Sequence, residues 1–541
     1  MIKTWKHLRI ELLLLIILFS LSTKESMPVA AQADEPPTRQ TTLVVSYTKY
    51  EWWLITWNGN QIVCVITSEQ GDLPTDGEII KACGQSLYDG WKKTTSCPQA
   101  DQGKEAAATC PGMYLFQVGS QSGERTIFVD LPEPSLSITL TNCSPVSPGN
   151  LCEVIPALLL TGEEPLPNEQ IIAIHTVMDG ISNTCIGVVC EIPLRATLPE
   201  GLTIEFWADS SFGDSSKHFT ALVRVMDSGV SESPGNRGWY VDVLSTQWRG
   251  EKVESCAKIW DAFPTVGGAT DWLITPPQQE SLASDRPYYY LAGRLISKGL
   301  VNVEECPMGG MLPNGYANAC GLEKARPMVE LWQNQFDPRI FSVADEIGLP
   351  AQLLKRLFAQ ESQFWPGVFR VAREYGLGQL TDQGADTILL WNPSFFDQFC
   401  PLMLDKSVCA RGYLKLKEED RAILRGALAL EANADCQNCP TGIDLTRADF
   451  SVALFGQSLI ANCGQVSRTV YNATHQSPGA VSDYEDLWRF TLANYNAGPG
   501  CLAYAIYTTV EQGEALNWEN VSTHFTEPCQ RVINYVDLIT R

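Results

Sequence analysis

The chain has 541 residues, 18 cysteines and a formal net charge of −23. This length is too great for one ordinary domain, so we expect two to four domains. The strong negative charge argues against binding of nucleic acid, or of another anionic polymer, through bulk electrostatics. We therefore expect a ligand that is neutral or that is held by local contacts.

Residues 1–33 are typical of a signal peptide. Three basic residues precede the apolar run LLLLIILFSL (12–21), which is short for a membrane span. The segment AQA (31–33) offers a cleavage site, and cleavage there removes four Lys/Arg and two Asp/Glu, so the net charge becomes −25. An uncleaved anchor is the alternative, because the polar stretch before AQA is long. No later stretch reaches transmembrane length, so we expect an extracytoplasmic chain, secreted or in the cell wall or periplasm.

The cysteines favour the same compartment, because an even number scattered along an exported chain is typical of a disulfide set. Seven cysteines follow residue 326, so at least one is expected to pair upstream or to stay free; they are Cys400, Cys409, Cys436, Cys439, Cys463, Cys501 and Cys529. Cys436 and Cys439 have a spacing that zinc or redox sites also use. A zinc site requires further ligands, and a redox motif requires a βαβ setting. We find neither, so we predict a structural disulfide, no metal and no cofactor. The sequence leaves the disulfide pairing and the oligomeric state open.

Changes in composition along the chain divide it into four predicted segments after residue 33. They are a Pro-rich linker at 34–41, a β domain at 42–155, a second β-rich domain with a connector at 156–325, and a mostly α domain at 326–541. The boundaries follow Pro- and Gly-rich stretches and the change from alternating to helical apolar spacing.

Two hairpins are predicted in the β part. Asn58-Gly59 lies between two β-prone runs, and this dipeptide favours a type I′ turn. The runs LTIEFWA (202–208) and FTALVRVM (219–226) form the second pair. The three tryptophans at positions 52, 53 and 57 would either stack on sugar rings or pack in a core, and packing is the commoner use of such residues in strands.

Helix signals dominate after residue 326. Asp337-Pro338 predicts a helix start, and Gly348 predicts its end. Pro350 is expected to open the next helix. Further along, Ser482 and Glu485 have the spacing of a capping box.

Glu361 lies inside the apolar stripe of the helix that Pro350 opens. Leu354 and Leu357 precede it by seven and four residues, and therefore lie on the same face. Burial and the negative end of the helix dipole would both raise the pKa of its carboxyl group. A glutamic acid that stays protonated near neutral pH can act as the general acid of glycosidic cleavage. Alternatively, the side chain lies at the rim of the stripe with its carboxylate in water.

Four motifs accompany this glutamate. They are ESQFWP from residue 361, GLGQ from residue 376, YNAG from residue 495, and Tyr535 in a final helix. In these motifs the chain resembles the lytic transglycosylase family with a goose-type lysozyme-like fold, whose pattern is E-S-x-F-x-P, G-L-x-Q, Y-N-A-G and a late tyrosine. DLTRADFSVALFGQSL (444–459) also resembles the middle helix of the family. The resemblance covers residues 326–541. It implies a multidomain protein, with N-terminal disulfide-rich β domains followed by a mainly α lysozyme-like domain.

The resemblance implies an activity as well. In that family one glutamate, here Glu361, protonates the oxygen that links N-acetylmuramic acid (MurNAc) to N-acetylglucosamine (GlcNAc) in peptidoglycan. The same residue then acts as a base, and the 6-hydroxyl of the muramic acid closes onto C1 to give a 1,6-anhydro end. A glycosidase with two carboxylates would need a partner group within about 5 to 9.5 Å. Glu374 and Asp382 are the nearest candidates in sequence, and no motif supports either.

The remaining site residues are also implied by the resemblance. Gln379 and Tyr495 match positions that line the sugar cleft, and Tyr535 matches a tyrosine near the glutamate. Asn496 belongs to the same motif as Tyr495, although ending the helix explains this residue better than contact with a ligand does. Ser362 would contact either substrate or backbone. We predict all five as substrate-binding residues.

The chain departs from the family pattern between the first two motifs. Arg370 replaces a usual Ser, and Arg373-Glu374 replaces a Gly-Ala pair. Gly378 stands where Met is common. The segment 381–444 is enlarged and carries four cysteines, which predicts a disulfide-pinned helical insertion.

Three functions follow as expectations. The first is an exported lytic transglycosylase whose partner is the glycan strands of peptidoglycan. The second is a lysozyme-like hydrolase of the same bond, with water in place of the 6-hydroxyl. The third is a peptidoglycan-binding protein without catalysis. The ligand of the β domains, endo or exo action and the biological role are not indicated by the sequence.

Overall fold

The computed structural model describes residues 39–94, 111–143, 151–233, 236–249, 255–266, 269–368 and 373–541. The predicted signal peptide lies outside these residues, as do the first five residues of the predicted linker and the cysteines at positions 97 and 110. The described chain has an N-terminal β-sheet region followed by a mostly helical region. It divides into two compact units. The first comprises described residues of 39–133, 165–169 and 211–214, and the second comprises those of 134–164, 170–210 and 215–541.

The strands of the described chain form three antiparallel sheets. The strands are β1 (Gln40–Thr56), β2 (Ile62–Ser68), β3 (Met113–Asp130), β4 (Ser135–Thr141), β5 (Leu151–Cys152), β6 (Ala157–Glu163), β7 (Ile171–Met178), β8 (Ile181–Ile186), β9 (Val189–Pro193), β10 (Leu202–Ser210), β11 (Phe219–Ser233) and β12 (Asn236–Leu244). The strand orders are β2-β1-β3, β4-β6-β9 and β5-β12-β11-β10-β7-β8.

The first unit is small and is held by a local core. Helices α1 (Asp76–Cys83) and α2 (Gln85–Lys92) pack on the β2-β1-β3 sheet. Trp52 is 7% exposed and belongs to this core, which is the packing alternative predicted for it. Trp57 is half-buried and packs on Tyr114, with 4.2 Å between the ring centroids.

The first predicted hairpin is present, but its turn is longer than a type I′ turn. The backbone N–H of Thr56 donates to the carbonyl of Gln61 at 2.9 Å, so four residues separate the paired strands. Positive φ angles occur at Gly59 (77°) and Asn60 (48°), not at Asn58. The prediction of a two-residue turn was therefore wrong. Asn60 tolerates the left-handed conformation as well as Asn58 does, and the longer loop uses it.

The other two sheets belong to the second unit and share one core. The second predicted hairpin is confirmed, since β10 and β11 pair with Phe206 opposite Phe219. Ile138 and Leu158 from the β4-β6-β9 sheet are buried in the same cluster as Phe206. The inner faces of the two sheets therefore pack against each other.

The helical region contributes most of the second unit. Its helices are α3 (Ser255–Trp260), α4 (Tyr289–Ser297), α5 (Ala319–Asn334), α6 (Asp337–Ile347), α7 (Ala351–Ser362), α8 (Asp382–Trp391), α9 (Pro393–Met403), α10 (Lys406–Cys409), α11 (Glu418–Ala432), α12 (Leu445–Thr474), α13 (Pro478–Val481), α14 (Tyr484–Ala497), α15 (Pro499–Glu511), α16 (Trp518–Thr523) and α17 (Arg531–Thr540). The helical region thus begins at Ser255, upstream of the predicted start at 326. Trp260 and Leu291 are buried in the core of this region.

Most predicted helix limits agree with the structure. Pro338 lies in the first turn of α6, and Gly348 ends that helix with a φ of 66°. Pro350 is the residue before α7. The predicted capping box of α14 was wrong, because Asp483 caps the helix by accepting the N–H of Asp486 at 2.8 Å. Asp is as good a cap as Ser, so the start moves by one residue.

Helix α12 is the centre of the helical region. It is 30 residues long and packs against α3, α6, α8, α11, α14 and α15. Phe455, Leu459 and Cys463 on it are fully buried. Even so, within the described residues no helix is both long and apolar enough to cross a membrane.

Eight disulfides join the described cysteines. They are Cys64–Cys83, Cys143–Cys152, Cys185–Cys190, Cys256–Cys463, Cys306–Cys320, Cys400–Cys409, Cys436–Cys439 and Cys501–Cys529. The expected upstream partner of one late cysteine is Cys256, which binds Cys463 of α12. The close pair Cys436–Cys439 is a disulfide, as predicted.

The Cys256–Cys463 bridge is expected to stabilise the protein more than the Cys436–Cys439 bridge does. The first closes a separation of 207 residues and the second a separation of 3. By chain entropy, replacing both cysteines with Ala should cost about 5 kcal/mol for the long bridge and about 2 kcal/mol for the short one. Urea unfolding of the two double variants measures the difference. Equal losses would contradict the expected dependence on loop length.

Candidate active site

Helix α7 carries Glu361 to the wall of a cleft. Leu353, Leu354, Leu357 and Phe358 of this helix are fully buried, so the helix is fixed along its length. It ends directly after the glutamate, because Gln363 adopts a left-handed φ of 49°. The carboxyl group is therefore placed in the last turn of a rigid helix, partly exposed to the cleft.

Tyr535 of α17 holds one oxygen of this carboxyl group. Its hydroxyl donates a hydrogen bond to Oε1 of Glu361. Val532, Val536 and Ile539 are buried on the same face of α17, and they fix the tyrosine ring against α7. Within the described chain no hydrogen bond to Oε2 of Glu361 is present, so this oxygen is left for a proton or a ligand.

Burial raises the pKa of Glu361 to about 7. The loss of water around the carboxyl group is the largest cause. The hydrogen bond from Tyr535 opposes it by favouring the carboxylate, and the negative charge of Glu374 adds to it. Near neutral pH the Glu361 carboxyl group is therefore protonated in a large fraction of the molecules. This is the condition for a general acid.

The GLGQ segment forms the opposite side of the site, and its glycines are required by packing. A Cβ atom on Gly376 would lie 2.3 Å from the carbonyl oxygen of Ala432. A Cβ atom on Gly378 would lie 2.4 Å from Phe455. The departure from Met at position 378 therefore has a steric reason, because α12 leaves no room for a side chain.

Two further site residues hold this loop. The hydroxyl of Tyr495 donates to the carbonyl of Gly378. The side-chain amide of Gln379 donates to the carbonyl of Gly376 at 2.8 Å. Burial, and then the charge of Glu361, raise the pKa of the Tyr495 phenol well above its ordinary value, so it remains a hydrogen-bond donor.

Ser362 lies outside the cleft. It is fully buried, and its hydroxyl donates to the carbonyl of Leu377 at 2.7 Å. This is the backbone contact that the sequence left as an alternative to substrate binding. The serine thus ties the end of α7 to the GLGQ loop.

The cleft has a volume of about 440 Å³, within the range of small-molecule sites. It is lined by Gln360, Glu361, Glu374, Gln379, Leu380, Thr381, Gln383, Gly384, Thr387, Ser458, Asn462, Asn494, Tyr495, Asn496, Ala497, Gly498, Pro499 and Tyr535. Five of the six predicted site residues are among them. Ser362 is the exception.

Sequence reasoning missed several polar residues of this cleft. Asn494 of α14 donates to Asn462 of α12 at 2.7 Å and to Gln465 at 2.8 Å. Glu374, which the sequence offered as a nearby carboxylate without the support of a motif, also lines the cleft. Glu361 was identified as a polar residue inside the apolar face of a helix. Ser458 and Asn462 show the same pattern on α12, so the sequence could have indicated them.

The remaining sequence departures bear on the same region. Arg370 lies outside the described residues. The insertion at 381–444 is helical and carries the bridges Cys400–Cys409 and Cys436–Cys439. Across the described chain, no group of three or more His, Cys, Asp or Glu side chains is arranged to hold a metal ion.

Comparison with known proteins finds no matching family model, no matching curated protein and no matching solved structure.

Two substitutions should move the pKa of Glu361 in opposite directions. Tyr535→Phe removes a hydrogen bond that favours the carboxylate, so the pKa should rise, by about 1 unit. Glu374→Gln removes a negative charge, so the pKa should fall. A carbon-13 NMR titration of glutamate side chains, assigned with Glu361→Gln, measures both shifts. Glu346→Gln, an exposed change on α6, is the control. Two shifts of the same sign would refute the electrostatic account.

Glu361→Gln should stabilise the protein at alkaline pH. The unfolded carboxyl group loses its proton near its ordinary pKa of 4.5 and the folded one near 7, so wild-type stability falls as the pH rises between them. The variant does not titrate there and avoids a loss of at most about 3 kcal/mol. Urea unfolding at about pH 5 and about pH 8 tests this. An advantage that does not grow with pH would disprove the raised pKa.

Proposed function

We propose that this protein is an exported lytic transglycosylase of peptidoglycan with a lysozyme-like helical region. It is a carbon–oxygen lyase that cleaves the β-1,4 bond between MurNAc and GlcNAc and leaves 1,6-anhydro-MurNAc ends. The carboxyl group of Glu361 carries the proposal, because burial raises its pKa to about 7 at the wall of a polar cleft. Gln379, Tyr495 and Tyr535, from the other motifs of the resemblance, line the same cleft.

In the first step Glu361 acts as the acid. Its protonated oxygen donates to the glycosidic oxygen as the bond from that oxygen to C1 of MurNAc breaks. The hydrogen bond from Tyr535 to the other oxygen strengthens as the glutamate becomes a carboxylate, since charge-assisted hydrogen bonds are stronger than neutral ones. Tyr535 thus stabilises the charge that this step creates.

In the second step the carboxylate acts as the base. It removes the proton of the 6-hydroxyl of the same MurNAc unit, and the oxygen forms a new bond to C1. The proton returns to Glu361, so the enzyme is regenerated without water. An intramolecular attack is fast because the two reacting atoms are already joined. A second carboxylate is not required for this route.

The amide groups of the cleft suit a glycan that carries acetamido groups. Gln379 and Asn496 line it from the GLGQ loop and from the end of α14. The amide of Asn496 has both donors and an acceptor, and the Gln379 amide keeps one N–H beyond its bond to Gly376. Such groups recognise neutral hydroxyl and acetamido groups without relying on charge.

Plain hydrolysis of the same bond is the second candidate, and Glu374 favours it. This carboxylate lines the cleft together with Glu361, and its charge acts on the Glu361 pKa. A second carboxylate can activate water against C1, as in glycosidases that use two carboxyl groups. The product would then carry a free reducing end in place of the anhydro ring.

Glu361→Gln should lower glycan cleavage by about 10²- to 10⁴-fold, the usual contribution of a general acid. The substitution keeps the shape of the side chain and removes the proton. Mass spectrometry of digested peptidoglycan identifies the product, because an anhydro end is lighter than a hydrolysed end by one water. Glu346→Gln should cleave normally.

Each result separates the candidate functions. Anhydro ends that disappear in Glu361→Gln support the transglycosylase. Hydrolysed ends that disappear in both Glu361→Gln and Glu374→Gln support the hydrolase. Binding of glycan without any cleavage by the wild-type protein would leave a binding protein and overturn both.

A further inference from the structure

A second pocket adjoins the cleft, and its charge is opposite to that of the whole protein. It has a volume of about 260 Å³. We call this cavity the basic pocket. The residues that line it include Ser284, Arg286, Tyr288, Lys355, Arg356 and Leu538. Three cationic side chains therefore meet in one cavity of a chain whose net charge is −23.

The basic pocket and the cleft lie side by side on the same two helices. Gln360 of α7 lines both. On α7, Arg356 precedes Gln360 by four residues, which is about one helical turn or about 5.4 Å. On α17, Tyr535 lines the cleft and Leu538 lines the pocket, again about one turn apart. A ligand in the cleft can thus extend into the pocket without leaving the protein surface.

Lys355 is a structural residue of this pocket. Its ammonium group donates to the carbonyl of Leu282 at 2.6 Å, and to the side chains of Asn334 and Asp337 at 2.8 Å. These bonds use all three of its protons. Asp337 also balances its charge. Lys355 therefore has nothing left for a ligand.

The two arginines are different. Arg356 donates through Nη1 to two backbone oxygens at the end of α17, that of Ile539 at 3.0 Å and that of Arg541 at 2.5 Å. Arg286 is exposed. Among the described residues neither guanidinium forms an ion pair with a side-chain carboxylate. Burial is the largest cause that lowers the pKa of Arg356; the charge of Arg286 adds to it and that of Asp271 opposes it, so the two arginines are close enough for their charges to interact.

Tyr288 adds a neutral donor to the same cavity. Burial raises its pKa to about 12, so its phenol keeps its proton over the physiological range. The ring is held edge-on against Phe364, with 5.7 Å between the centroids. Two guanidinium groups and a phenol are the donors that suit a carboxylate, which arginine can bind through two parallel hydrogen bonds.

We propose that the basic pocket binds a carboxylate group on the peptide substituent of the glycan that occupies the cleft. This inference rests on the proposed function, since the muramic acid units of peptidoglycan carry short acidic peptides through a lactyl ether. The glycan is neutral at its scissile bond, and its nearest negative charges lie on that peptide. The pocket opens about one helical turn from Glu361, so it can receive the peptide while the sugar stays beside the carboxyl group.

The test measures binding to the Glu361→Gln protein, which keeps the cleft and is expected not to cleave. The two probes are a peptide-bearing disaccharide of peptidoglycan and the same disaccharide without its peptide, with the lactyl carboxyl group capped as a neutral amide. The peptide-bearing probe should bind more tightly. Arg286→Gln, added to this protein, should weaken that binding by about 5- to 10-fold, the range expected for a hydrogen-bonded charge at an exposed site. Binding of the peptide-free probe should change by less than about twofold.

Arg411→Gln is the matched control, because it makes the same charge change at an exposed position that lines neither cavity. It should leave both affinities unchanged. Arg356→Gln should act in the same direction as Arg286→Gln, and circular dichroism checks that each variant is folded. Raising the salt concentration should reduce only the advantage of the peptide-bearing probe.

Three results would overturn the inference. The first is equal affinity for the two probes, and the second is an equal effect of Arg286→Gln and Arg411→Gln. The third is competition by inorganic phosphate as strong as that by the peptide-bearing probe, which would make the pocket a site for free anions. None of these touches the proposed function, which is tested by cleavage. Conversely, wild-type protein that binds the peptide-bearing probe more tightly but cleaves no glycan would refute the enzyme and keep the pocket.

Discussion

The helical region is organised around one constraint, which is that a carboxyl group must lose most of its water while one side stays open to a ligand. Helix α7 meets it by ending directly after Glu361, so the side chain projects from a buried helix into the cleft. Tyr535 closes the side toward α17. The same arrangement makes the carboxyl group harder to ionise, so the protein gives up stability at alkaline pH to keep a proton at this position.

The loop opposite the glutamate is positioned mainly through its backbone. Ser362 and Tyr495 each bind a carbonyl oxygen of the GLGQ segment. Gly376 and Gly378 allow that segment to approach α11 and α12 more closely than any other residue would. Side chains at these two positions would clash with Ala432 and Phe455 and would displace the loop. The two glycines of the GLGQ motif therefore determine how closely the loop packs against its neighbours.

The sequence was informative where structure depends on local spacing and less so where distant segments meet. The apolar face of α17 and the Gly348 end of α6 were predictable, because helical spacing and a left-handed residue act within one segment. The turn at Asn60 and the cap at Asp483 were each missed by one residue, since neighbouring residues fit equally well. The contact between Asn462 and Asn494 joins residues of two helices that are 32 positions apart in the sequence, and no local pattern indicates it.

The Cys256–Cys463 bridge has a consequence for how the helical region can be inherited. Helix α12, which carries Cys463, packs against α3, and the indole of Trp260 donates to the carbonyl of Cys463 at 3.0 Å. A recombination event that transferred only residues 326–541 would leave the Cys463 thiol without its partner Cys256. It would also expose the apolar surface that α3 covers. In an oxidising compartment that thiol would form mixed disulfides. The heritable module must therefore include the segment from residue 255 onward.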